Sequence, residues 1–144
     1  MTMLEDLHLV ADGGRAVAVF AAGVERRAAL ADALSWQLTR RFQSGALEAP
    51  EAVVELRAAG ALADRLDEHR GVEAKASVRI NGDEVRLLIE AVAAYVTERD
   101  GDSYQPPEER ARLAELAAVL DPLFDLALQL DRADEVLGGA APPF

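Results

Sequence analysis

Leu7-His8-Leu9-Val10-Ala11-Asp12-Gly13-Gly14-Arg15-Ala16-Val17-Ala18-Val19-Phe20 admits two foldings, and the fold class turns on which one the chain adopts. Read as strands, the segment is a hairpin around an Asp-Gly turn. Read as helices, it begins with Thr2-Met3-Leu4-Glu5 as a capping box. Met3, Leu4, Leu7 and Val10 then share one face, and Gly13 ends the first helix. A second, long helix would carry Val17, Phe20, Ala21, Val24, Ala28, Ala31, Leu34, Leu38 and Phe42 on its apolar side. Alanine-rich stretches make poor strands, which tips the reading toward helices.

A strand elsewhere bears on that choice. Val72-Glu73-Ala74-Lys75-Ala76-Ser77-Val78-Arg79-Ile80 alternates apolar and polar residues without a break, the period of a half-buried strand. A lone strand leaves its backbone groups unpaired, so it needs a partner, either residues 15–20 or another subunit. Directly after it, Asn81-Gly82-Asp83-Glu84 has the form of a capping box. Val85, Leu88, Ile89, Val92, Tyr95 and Val96 follow at helical spacing, ending near Asp100-Gly101. Asn-Gly could instead make a hairpin turn, but the residues after it show no alternation.

Further helices follow from punctuation. Ser44-Gly45 stops the long helix and Pro50-Glu51 opens another, with Val53, Val54, Leu56, Ala59, Leu62, Ala63 and Leu66 apolar and His69-Arg70-Gly71 at its end. After a loop, Pro107-Glu108-Glu109 opens a helix with acids at its positive end. Asp121-Pro122 reads as a fresh start, with Asp as N-cap, and the final helix runs through Leu123, Phe124, Ala127, Leu128 and Leu130. The expectation is mainly α: a compact bundle of four to six helices with one short strand at residues 72–80, which joins residues 7–20 in a small sheet if those are extended. The alternative is α+β, a three-stranded antiparallel sheet packed on helices. Residues 1–137 form a single helical domain on this reading, and 138–144 a Gly/Ala/Pro tail.

The 144 residues suit one domain. No apolar run approaches the ~20 residues of a membrane span, and Met1-Thr2-Met3-Leu4-Glu5-Asp6 lacks the basic start and apolar centre of a signal peptide. A cytoplasmic location is expected. Cysteine is absent, which excludes disulfides, thiolate metal sites and a Cys nucleophile. Acids outnumber bases 26 to 15, a net charge of −11 that repels nucleic-acid phosphates and anionic membranes. The distribution is uneven: residues 24–45 are net basic through Arg26, Arg27, Arg40 and Arg41, whereas 82–105 and 106–144 are acidic. Arg26-Arg27 and Arg40-Arg41 are best matched by salt bridges to that acidic half, or to the same half of a second copy.

Few residues have the spacing of a reactive site. His8 and His69 are far apart and no HExxH or ExxH pattern places a second ligand beside either; His69 reads as a cation near a helix C-terminus. Asp121 and Asp125 share a helical face, as do Asp64 and Glu68, but each pair reads as solvated surface. Asp100-Gly101-Asp102-Ser103 starts like a Ca²⁺ loop, yet Gln105 and Ala111 stand where Gly and Glu are required. No GxGxxG, GxxxxGK or GxSxG pattern occurs. No catalytic residue, cofactor or metal ligand is assigned.

Trp36 is the remaining singular residue. It projects away from the Leu34/Leu38/Phe42 stripe, alongside Ala29, Ala33 and Arg40. Either the helix is buried on two sides within one chain, or Trp36, Ala29, Ala33 and Arg40 form an interface anchor. The first functional expectation is therefore a non-catalytic acidic interaction module (adaptor, regulator or inhibitor) that binds a protein partner or self-associates as a homo-oligomer. It would bind no nucleic acid and no membrane. The second is a helical small-molecule sensor or enzyme with a pocket near Trp36 and Tyr95, drawing on Tyr104 and Gln37. The third is an acidic nucleic-acid mimic that blocks a basic protein.

Overall fold

The computed structural model describes residues 4–43, 50–67, 76–100 and 105–139. In chain order the elements are β1 (Glu5–Asp12), β2 (Arg15–Ala22), α1 (Val24–Gln43), α2 (Pro50–Asp67), β3 (Ala76–Asn81), α3 (Gly82–Asp100) and α4 (Pro107–Gly139). The strands make one antiparallel sheet in the order β1-β2-β3. Four helices among the described residues with a three-stranded antiparallel sheet fit the α+β alternative better than the mainly α expectation, which holds in part because helix predominates and the helices number four. No helix among the described residues is long and apolar enough to cross a membrane.

Over residues 5–22, where one expected helix ends and the next begins, the chain is instead a hairpin, and the second helix begins only at Val24; residues 1–3 lie outside the described residues. Asp12 pairs with Arg15 across Gly13-Gly14. Both glycines have positive φ, 61° and 83°, which the central positions of the tightest hairpin turn require. The alanines that suggested a helix serve another purpose. Ala16, Ala18 and Ala22 lie with Phe20 on the sheet face covered by helices, and Ala18 has no exposure at all. Small side chains there let α4 approach β2 closely. On the opposite face, Arg79 of β3 reaches over β2 to Asp12 of β1 at 3.0 Å, tying the two edge strands together.

β3 pairs with β2 from Val17↔Asn81 to Ala22↔Ala76, so part of the alternating segment is a strand; residues 72–75 lie outside the described residues. The chain turns directly from β3 into α3 through the capping box. Asn81 Oδ1 accepts from the Glu84 N–H at 2.9 Å, and Glu84 Oε1 accepts from the Asn81 N–H at 2.9 Å. Because β3 ends there, the neighbouring Ala16 N–H of β2 lies past the last β2–β3 pair, and Asp134 of α4 accepts it at 2.6 Å.

Val85, Leu88, Val92 and Tyr95 of α3 are buried as the spacing predicts, with α1 and α4 both packed on this helix and α2 packed on α1. α4 departs from expectation: it is one helix, not two, with Pro122 inside it. Proline in a helix interior costs about 3 kcal/mol. However, Leu116, Val119, Leu123, Leu126 and Leu130 form one buried line on either side of it. Burial at roughly 1.5–3 kcal/mol per large apolar side chain outweighs that cost and keeps both halves on one course. α4 also continues through Gly138 and Gly139, while residues 140–144 of the expected tail lie outside the described residues. So do Ser44-Gly45, His69-Arg70-Gly71 and residues 101–104.

Candidate functional site

Residues 29, 33, 36 and 40 do share a face of α1, but they fare differently. Ala33 is fully buried and Ala29 is 6% exposed, so both belong to the core of this chain. Trp36 is half-buried and Arg40 exposed. The Trp36 ring meets Tyr95 of α3 edge to face, with centroids 5.4 Å apart and planes at 86°. Arg40 sits over the Trp36 ring and Arg99 over the Tyr95 ring, each 5.2 Å from the centroid. Glu98 holds Arg40 at 3.4 Å, and Glu109 of α4 holds Arg99 at 3.3 Å. An aromatic pair contributes about 0.5–1.5 kcal/mol beyond area burial, and an exposed cation–π contact about 0.5–1. The cluster is thus a clamp between α1 and α3, with both aromatic rings already matched. Gln37 is half-buried nearby on α1, and Tyr104 lies outside the described residues.

The carboxylates are dispersed. Asp64, Asp121 and Asp125 are exposed, and Glu68 lies outside the described residues. His8 is exposed on β1, with Nδ1 3.0 Å from the Asp6 carbonyl. His69 lies outside the described residues. Among the described residues no three His, Asp or Glu side chains are grouped so as to hold a metal ion. An acidic groove of about 490 Å³ separates the first turns of α1 and α4, with Glu25, Asp32, Glu108 and Glu115 around a floor of Ala28, Ala29 and Ala111. Its charges are partly matched by the chain itself: Arg112 pairs with Asp32, and Arg26 with Glu115 at 3.6 Å. Arg27 is buried, donating from Nη1 to the Ala22 carbonyl at 2.9 Å, and Arg41 bridges to Glu55 of α2 at 3.2 Å. The basic face of α1 is therefore engaged largely inside the monomer.

The outer side of α4 is different. Phe124 and Leu128 stand one helical turn apart and are 52% and 58% exposed. They are flanked by Asp121 and Arg132, both exposed and neither ion-paired among the described residues. The sequence runs the last helix through Leu123, Phe124, Ala127, Leu128 and Leu130 without separating buried from exposed positions. The signal that separates them is the seven-residue recurrence Leu116, Leu123, Leu130 with Val119 and Leu126, which defines the buried line and leaves Phe124 and Leu128 off it. The other exposed large apolar residues among those described are Leu9 on β1, Val136 near the end of α4, and Phe42 and Val54, next in sequence to the bridged Arg41 and Glu55 of α1 and α2.

Comparison with protein families, with curated proteins and with solved structures finds no match to this chain.

Proposed function

We propose that this chain is a non-catalytic, acidic protein-interaction module that docks a protein on the outer face of α4. The observation that carries the reading is the adjacent pair Phe124 and Leu128, two large apolar side chains left more than half exposed on a helix whose other leucines are buried or partly buried. Exposed aromatic and aliphatic residues on one turn are the makings of an interface anchor. The net charge of −11 argues against nucleic-acid and anionic-membrane partners. The Trp36 face is a weaker support for docking, because Ala29 and Ala33 are inside the core and Trp36 is clamped on Tyr95.

Site-specific photocrosslinking tests this. A benzophenone-bearing residue replaces Phe124 in one chain and Val54, 67% exposed on α2, in another, and both are irradiated in lysate of the native cell. A discrete protein adduct from position 124 and none from position 54 is expected. No adduct from position 124, or the same adducts from both, would overturn the reading.

A further inference from the structure

The geometry points to a second copy of this chain as the occupant, seated antiparallel along α4 by an exposed stripe that is complementary to itself. The inference rests on the reading of α4 as the docking face and supplies its partner. At 100° per residue, Ala117, Asp121, Phe124, Leu128, Arg132 and Glu135 fall within about 80° of arc, and all six are exposed. A two-fold axis perpendicular to the helix at the level of residue 126 sets Phe124 level with Leu128 of the second copy, and Leu128 level with its Phe124. Four large apolar side chains then meet at the centre. One turn further out, Asp121 and the second copy's Arg132 come within about 1.5 Å of each other along the axis. Both residues lie on the same flank of the stripe, and a two-fold of this kind keeps them on the same side of the interface.

The two bridges outnumber the one like-charge pair that the register creates, Asp125 and the second copy's Asp125, about 3 Å apart along the axis on the same flank. Glu135 comes level with Ala117, and each carries the small or charged residue that the other can accept. Asp131, level with the second copy's Asp121, lies on the opposite flank and is bound at 2.6 Å to Arg86 of its own chain. The symmetry generates two Asp121–Arg132 bridges from two residues that make no ion pair among the described residues of their own chain. Self-complementarity of this sort is the requirement of an isologous dimer. With two apolar side chains per copy at its centre, the contact belongs to the small, reversible class of interfaces.

Sedimentation equilibrium from micromolar to millimolar chain concentration tests the register through charge exchange. Wild type is expected to dimerise reversibly. Asp121→Arg alone and Arg132→Asp alone each turn both bridges into like-charge contacts and should weaken the dimer about tenfold or more. An equimolar mixture of the two single variants should associate as heterodimers, because every bridge then joins an Arg to an Asp; the double variant should recover self-association. Circular dichroism confirms that each variant is folded, and their exposed positions make this the expected result. A wild type that stays monomeric throughout, or single variants that the mixture does not rescue, would overturn the proposal. A monomeric wild type that still gives an adduct of another mass from position 124 would overturn the second copy alone and leave the docking face standing.

Discussion

Leu126 and Leu128 stand two residues apart on α4 and meet opposite environments: Leu126 is buried in the core and Leu128 mostly in water. Truncation should separate them cleanly. Leu126→Ala deletes buried methyl groups and leaves a cavity, with an expected loss of about 2–5 kcal/mol. Leu128→Ala should change monomer stability by no more than about 0.5 kcal/mol. Urea unfolding at low concentration, followed by far-ultraviolet circular dichroism, measures both; equal losses would mean that the buried line of α4 is misassigned. The same contrast explains which residues were readable in advance. Asn81 and Glu84 announced their contact because a capping box is four consecutive residues, complete in itself. The exposure of Leu128 is set by where α3 and the sheet lie, and no local pattern states that.

At the scale of the element, α3 and the strand before it were legible because their signals are unbroken and agree with one another. The hairpin was ambiguous because Ala-Val alternation suits either conformation; its strand character comes from β3, which pairs with β2 across a long sequence separation. α4 shows the same dependence. Asp-Pro is a sound local start signal, overruled by a buried line that runs past it on both sides. Pro122 therefore remains as a local cost that burial outweighs. Pro122→Ala restores a backbone donor to the helix and removes a steric conflict, and should stabilise the protein by about 1–3 kcal/mol. The shift in urea midpoint reports the gain; a loss of stability would show that the helix has adapted its packing to the ring.

The whole molecule joins α1, α3 and α4 through the Trp36–Tyr95 clamp and its two arginines. Trp36→Ala should lower stability by about 2 kcal/mol, less than for a fully buried tryptophan, and leave self-association unchanged. Circular dichroism melts and sedimentation equilibrium on the same samples decide this. A folded variant with wild-type stability and lost association would move the interface to α1, where the sequence first placed it. A last consequence follows from Asp134, which satisfies a backbone group 118 positions earlier on the opening hairpin. Residue 16 is translated 118 positions ahead of residue 134, and over that stretch the apolar underside of β2 lacks the cover of α4. The nascent chain carries that bare surface throughout the interval, a window in which holdase chaperones would find it.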